Sequence, residues 1–539
     1  GIPTEGVLEG TDIQRVWLRD SGNVSSTSYP VDEPFQPSYM ADGDFRTHWT
    51  SQSWGDGNFS RNKQVLASFA QPVDLSSVIW VPRLDGGYRN NLRVYTVTVW
   101  QEGDDLSGPG TLVAPDPLQG GLANDQHTWL SVGNNPGATK FAVLPFEPVT
   151  DVVQIGITIE QVAYTAVSLS ELMFMEYDPS RSLQDDISAL FAGGLDGPHT
   201  ELVPGVTQGT VDALRQRLNS DERDYYLHTA AMADELDLAE ALLLRQPTGS
   251  RVLTALDGRS GAADSAKYSQ GGSELQPLGV AAGAGEEITV YAGIPGNQTV
   301  TVYASQYNAE ASQWLQKIGT LRNGRNVLTV PKIGSQNTPR GGSLYVTCGG
   351  ENPEQVSLTV RRAVKIPLLE LSDWYALSDT ARRDRVREYA AELETYVSAQ
   401  GVTDGAKTTD WHNVTEISLP TVLLSLPALA VLNGSGRSQA EREETLYNNV
   451  LAWEDVMHIC KTTQGIDSTY GSSDMTTRQN IRCMQMFTGA FMYAAGSHIG
   501  IGYGSCAGMV CGKPISAMGA ESGVNGLFGW GIAHEIGHN

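Results

Sequence analysis

Between Lys63 and Ile159 the apolar positions fall in short runs: Lys63–Phe69, Ser77–Pro82, Val94–Trp100, Lys140–Leu144 and Val152–Ile159. Clusters of Gly, Pro, Asn and Asp separate them. Runs of this length between turn residues predict a β-sandwich or jelly roll over residues 1–179. The pattern then changes period. Leu183, Ile187, Leu190 and Phe191 recur at i, i+4, i+7 and i+8; Val211, Leu214 and Leu218 make a second apolar face, and Leu236, Leu238 and Leu242–Leu244 a third. Residues 180–264 therefore read as a helical segment followed by a Gly- and Ser-rich linker or loop.

Strand-like patterning returns in Glu287–Ala292, Thr299–Ser305, Val327–Val330, Ser343–Thr347 and Gln355–Val360, which predicts a small β-sandwich over 265–365. Beyond Pro367 the periodicity predicts helices at Thr380–Ala399, Gln439–Lys461 and Asn480–Ala495, the first opening on an Asp379/Thr380 cap. Residues 366–539 are thus expected to form a mainly helical domain, and the whole chain a multidomain α+β protein. The richest apolar run, Leu419–Leu432, is interrupted by Pro420 and Pro427. It is shorter than the ~20 apolar residues of a membrane span, so none is expected.

Composition narrows the partners. With 61 acidic and 36 basic residues the formal charge is −25, which argues against nucleic acid, whose affinity rests on neutralising phosphates. The same charge removes long-range steering toward acidic glycoproteins. Five cysteines are too few for a disulfide scaffold. Cys506 and Cys511 could close a small loop, and Cys460 and Cys483 a second; free buried thiols are the alternative. Gly1 is not followed by a charged segment and an apolar core, so no signal peptide is read here, which says little about secretion.

The chemistry concentrates at the end of the sequence. His534-Glu535-Ile536-Gly537-His538 is His-Glu-x-x-His. On a helix, i and i+4 share a face, where two neutral imidazoles can hold one Zn²⁺ and the intervening carboxylate can serve as base. Phe528, Ile532 and Ile536 repeat every four residues on the opposite side, as on a helix buried along its back. The bland alternative is a buried helix with two satisfied histidines. A catalytic zinc of this type takes three protein ligands, and only two are visible. Glu521 precedes the expected helix start near Asn525 and is not expected to be the third. The expectation is that the sequence lacks part of the natural catalytic domain.

Two resemblances extend this reading. Residues 1–179 carry Asp42-Gly43-Asp44-x-x-Thr47-x-Trp49, then Trp80-Val81-Pro82-Arg83 with Asp85-Gly86, and finally Ser170-Glu171-Leu172. In that order they resemble the discoidin-like, factor 5/8 C-type carbohydrate-binding modules. The resemblance implies a Ca²⁺ site at Asp44, Thr47 and Glu171. It also implies a glycan site on loops, for which His48, Trp54, Arg83 and Tyr88 are the candidates, with Trp49 in the core.

From about 265 onward the carrying pieces are Gln276-Pro277-Leu278-Gly279, Ala284–Val290, Lys365–Glu370, Trp453-Glu454-Asp455, Met492–Gly496 and Trp530–Asn539. Together they resemble the M60-like, enhancin-related zinc metallopeptidases. That resemblance implies a zincin-like catalytic domain, with His534 and His538 as zinc ligands and Glu535 as catalytic base. The family's third ligand, a downstream Glu, is not in the sequence. It also implies a secreted or cell-surface bacterial endopeptidase acting on O-glycosylated proteins such as mucins, guided by its glycan-binding module. The rival expectation is a glycan-binding adhesin whose peptidase-like half is a non-catalytic scaffold. A structural zinc protein is disfavoured, since closed structural sites use Cys-rich ligand sets.

Overall fold

Residues 6–20, 37–50, 63–82, 92–114, 128–131, 140–162, 168–176, 178, 180–220, 223, 226, 228–257, 273–307, 314–330, 341–463, 478–514 and 531–538 are described by the structure, a computed structural model. It is a mixed α+β chain with several sheets. It divides into two compact units, Gly1–Leu190 with Leu202–Arg245, and Phe191–Glu201 with Gln246–Asn539.

Among its described residues the first unit has eight strands: Ile13–Asp20 (β1), Trp49–Thr50 (β2), Lys63–Pro82 (β3), Leu92–Gln101 (β4), Thr111–Ala114 (β5), Thr128–Ser131 (β6), Lys140–Val162 (β7) and Ser168–Met175 (β8). The long strands β3 and β7 pair antiparallel as a spine. On the other edge of β3, β1 takes the first half and β8 the second; β7 likewise carries β6 and β4. The sequence pattern reads each spine strand as two. Pairing instead continues through irregularities between Ser68 and Ser77, because bulges bend a strand without ending it. Trp49, Trp80, Val97, Ile157 and Phe174 fill the core. Three helices follow, Arg181–Ser188 (α1), Gln208–Leu218 (α2) and Thr229–Leu243 (α3). α1 and α2 bury Leu183, Ile187, Val211, Leu214 and Leu218, and α3 buries Leu236 and Leu238. The rest of the third expected face is not buried: Leu242 and Leu243 are half-buried and Leu244 is exposed. α2 starts from a Thr207 capping box.

The second unit begins with two facing antiparallel sheets. One contains Gln276–Gly283 (β10), Thr299–Ser305 (β12), Leu315–Thr320 (β13), Gly341–Gly349 (β15) and Val364–Lys365 (β17). The other contains Arg251–Leu253 (β9), Glu287–Gly293 (β11), Gly324–Thr329 (β14) and Ser357–Arg361 (β16). Their inward residues, among them Val280, Ile288, Val302, Val346 and Val360, form one core.

The remainder departs from the expectation of a mainly helical domain. Helices Asp379–Gln400 (α4), Ala428–Ser435 (α5), Gln439–Thr463 (α6), Tyr503–Cys506 (α7) and Ile532–His538 (α8) share it with a six-stranded mixed sheet. Its strands are Leu368–Glu370 (β18), Thr415–Ser418 (β19), Val422–Leu426 (β20), Gln479–Cys483 (β21), Met492–Ala494 (β22) and Ile499–Ile501 (β23), in the order β18-β19-β20-β21-β23-β22. The helix expected over Asn480–Ala495 is therefore two strands and a turn. Strand β21 buries Gln479, Asn480 and Arg482 together with Ile481, so its polar residues mark no solvent face and no period of two can be read. Gly489, at φ +86° between them, takes a conformation no helix interior allows. One face of the sheet, through Leu424, Ile481 and Ile501, packs on helical residues Tyr389, Leu393, Val450 and Trp453. Leu423 on the other face meets Trp314 and Tyr345 of the sandwich.

Candidate metal centre and cation site

Helix α8 is held by Ile532 and Ile536, one turn apart and both fully buried. It packs on β22 and α6. That anchoring turns His534 and His538 to the exposed side, with Glu535 half-buried beside them. The two Nε2 atoms stand 3.0 Å apart, and the rings meet edge to face at 85° with centroids 4.5 Å apart. Two nitrogens bound to one tetrahedral zinc at ~2.0–2.1 Å lie about 3.3 Å from each other, so the pair fits the ion. Among the described residues no third His, Cys, Asp or Glu joins them. Phe528, Glu521 and Trp530 lie outside the described residues.

The neighbouring strand supplies what sequence reasoning missed. Among the described residues, strand β22 is the edge of its sheet. The Phe491 carbonyl accepts from Gly502 N at 2.9 Å, and Ala495 N donates to the His498 carbonyl at 3.0 Å. By the alternation of an antiparallel ladder, Tyr493 also bonds inward, so Met492 and Ala494 aim their N–H and C=O groups off the free edge. A Cβ placed on Gly531 would touch Met492 Sδ at 3.4 Å and the Phe491 ring at 3.9 Å. Gly531, His534 and His538 lie at i, i+3 and i+7, so Phe491 sits over the same helical stripe one turn before His534. Phe487 and Phe491 are 60% and 55% exposed. Among the described residues, two exposed phenylalanines thus stand near a strand edge that pairs on one side only. No local pattern announces it, because the edge position is set by pairing with β23.

In the first unit, Glu171 Oε1 accepts from Gly43 N at 2.8 Å and Asp42 Oδ1 accepts from Asp44 N at 2.9 Å. The Thr47 hydroxyl bonds the Asp42 carboxylate and lies 2.9 Å from the Asp44 carbonyl. Burial, and then the adjacent Asp42 carboxylate, push the Glu171 carboxyl up to about 8. Two carboxylates crowded in this way, with a hydroxyl and a carbonyl oxygen beside them, are the oxygen-only set a hard cation takes. Of the three candidates, Thr47 and Glu171 are brought together and Asp44 contributes only its carbonyl. Its carboxylate turns outward to Arg46, 2.9 Å from Nε, and that hydrogen bond holds it below the usual range. The carboxylate facing Glu171 is that of Asp42, the first residue of the same motif.

The glycan candidates are less well placed. His48 is 8% exposed and has little ring surface to offer a sugar; Trp49 is core. Trp54, Arg83 and Tyr88 lie outside the described residues. Trp453 is fully buried and donates from Nε1 to the Met509 carbonyl at 3.0 Å. All five thiols are free, so neither bridge considered above is formed. Cys511 Sγ donates to the Gly434 and Ala507 carbonyls at 3.1 and 3.0 Å. The thiol that neighbours Cys506 is Cys483, and burial followed by that neighbour raises the Cys506 thiol.

No protein-family model matches the chain, and no curated protein does. Among solved structures the chain is similar to the CBM32-1, CBM32-2 and M60 catalytic domains of Clostridium perfringens ZmpB, at 19% identity and a TM-score of 0.46, over 99% of this chain and 49% of that one. It is also similar to the catalytic module of the C. perfringens metalloprotease ZmpA, at 21% identity and a TM-score of 0.41, over 54% and 53% of the two chains. A metallopeptidase from Bacteroides thetaiotaomicron matches at 14% identity and a TM-score of 0.40, over 61% and 48%. The chain spans about half the length of these structures. At such identities and scores, function has to be read from the site's own side chains.

Proposed function

We propose that the chain is part of a secreted or cell-surface zinc metalloendopeptidase that cleaves peptide bonds in O-glycosylated proteins such as mucins. Residues 1–179 are a calcium-stabilised, glycan-binding module that brings it to them. The observation that carries this reading is the convergence of His534 and His538 Nε2 at 3.0 Å on the exposed side of a helix whose back is buried, with Glu535 between them. A ligand pair alone has no need of an adjacent carboxylate, and an adhesin scaffold has no need of either. The O-glycoprotein substrate and the bacterial, extracellular setting come from the sequence resemblance; ZmpC of C. perfringens, another similar structure, is described in complex with the sialyl T antigen.

Zinc, when bound by His534 and His538, supplies Lewis-acid polarisation of the scissile carbonyl and an acidic water. The chain's own residues do the rest. Neutral imidazoles leave the ion its charge, and Ile532 and Ile536 fix their helix. The free edge of β22 can hold an extended peptide through the Met492 and Ala494 main-chain groups, as strand addition does elsewhere. Glu535 accepts the proton of the attacking water on its carboxylate and passes it to the leaving amine. The glycan module leaves the chemistry alone and raises local substrate concentration.

Metal content tests this reading. In the protein extended beyond Asn539, zinc should copurify near one equivalent and be lost in His534→Ala and His538→Ala. Zinc retained in both variants would move the metal elsewhere.

A further inference from the structure

Cys483 ends β21 and Cys506 lies in α7, and the fold between them brings the two thiols together. β21 pairs in parallel with β23, Cys483 opposite Ile501, and the next amide, Met484 N, donates to the Ile501 carbonyl at 2.9 Å. Gly502 then caps α7, and Cys506 Sγ donates to the Gly502 carbonyl at 3.4 Å from one turn on. The Cys506 side chain is thereby laid beside the end of β21. Both residues belong to the core that joins the sheet to its helices, and both flank the Tyr503 hydroxyl closely enough for their charge to act on it. The two thiols hydrogen-bond each other. Among the described residues, Cys348, Cys460 and Cys511 have no thiol beside them.

The members of the pair differ in access. Cys506 is fully buried, whereas Cys483 is half-buried and borders a cavity of ≈ 60 Å³. That is room for about four waters on a scale where one needs ~10–15 Å³, and so for hydrogen peroxide. Burial, and then the Cys483 neighbour, keep Cys506 in its thiol form, which leaves the first attack to Cys483. Its sulfur attacks one peroxide oxygen, the O–O bond breaks, and Cys483 becomes a sulfenic acid as the first water leaves. Cys506 sulfur then attacks Cys483 sulfur: the S–S bond forms, the S–O bond breaks, and the second water leaves. The two thiol protons end in those waters, and the two electrons lost by sulfur reduce the peroxide.

We propose that Cys483 and Cys506 are a redox pair, oxidised by peroxide to a disulfide that ties α7 to β21 and closes residues 484–505 into a loop. Those residues carry β22 and β23, and β22 packs on α8, so the bridge braces the sheet edge on which the His534–His538 helix lies. The pair stands independently of the peptidase reading.

Chymotryptic peptide mapping of the 539-residue chain after stoichiometric peroxide, with free thiols alkylated in denaturant and fragmentation to place each sulfur, tests it. A Cys483–Cys506 link should appear and be lost on reduction with dithiothreitol, while Cys348, Cys460 and Cys511 stay open to alkylation. Cys483→Ser should abolish the link and leave Cys506 alkylated. Cys506→Ala should leave Cys483 as a sulfenic acid that dimedone traps. Amide hydrogen exchange across β22 and β23 should slow severalfold when the parent is oxidised. Both thiols still alkylated in the treated parent, or either one linked to a different cysteine, would overturn the proposal. A bridge that leaves exchange unchanged would overturn the bracing.

Discussion

His538 Nε2 stands 3.0 Å from His534 Nε2 on the exposed side of α8, a distance that would leave two neutral acceptors in repulsion unless a proton or a cation lies between them. Geometry of this kind depends on the back of the helix. Ile536, fully buried one residue from Glu535, is expected to lose about 2–5 kcal/mol on truncation to Ala. Urea unfolding together with zinc affinity should show both falling. A stable variant with intact zinc binding would mean the helix is held some other way.

The cation site separates two aspartates that the motif alone leaves equivalent. Calcium should raise the melting temperature of the N-terminal unit, since binding only to the native state adds RT ln(1 + [L]/Kd). Asp42→Asn should abolish that rise, and Asp44→Asn should keep most of it, because the Asp44 carboxylate already pairs with Arg46. Equal losses in both variants would place the Asp44 carboxylate on the ion.

Glu454 offers a pH test in the second unit. It is buried, accepts from the Tyr375 hydroxyl at 2.8 Å, and burial is the main cause that pushes it from 4.5 up to about 7. The folded state keeps a proton that the unfolded chain has released across that window, so this group's contribution falls as pH rises from 4.5 to about 7. Glu454→Gln, which can still accept from Tyr375, should match the parent near pH 4.5 and exceed it at pH 8. Denaturation midpoints at the two pH values check this; identical differences at both would refute it.

Phe491 should matter to substrate and little to stability. Its ring is more than half exposed beside Gly531, so Phe491→Ala is expected to stay within about 0.5 kcal/mol of the parent in stability. In the extended enzyme its kcat/KM on extended peptides should fall severalfold. A normal kcat/KM would remove the β22 edge from the binding surface.

Much of this architecture was legible in the pattern of residues. The apolar faces of α1 and α2, the sandwich strands β11, β12 and β16, and the long helices α4 and α6 follow from local periodicity, whereas the α3 face ends before its pattern does, since Leu244 is exposed. Strands β19 to β23 did not, because β19 and β21 bury polar residues such as Thr415, Glu416, Gln479 and Asn480, which leaves no apolar-polar alternation to read, and the strand order depends on contacts distant in sequence. At the candidate sites the difference is similar. His534, Glu535 and His538 are set by one helical turn, so spacing alone aligns them. The Asp42–Glu171 apposition joins residues 129 positions apart, and which of two nearby aspartates faces Glu171 is decided by Arg46 capturing the other.

Cleavage by a single-atom variant tests the central claim most directly. In the enzyme extended past Asn539, Glu535→Gln should retain zinc and fold while turnover of an O-glycosylated peptide, followed by mass spectrometry, falls about 10²–10⁴-fold. Turnover equal to that of the parent would contradict a role for Glu535 as the base.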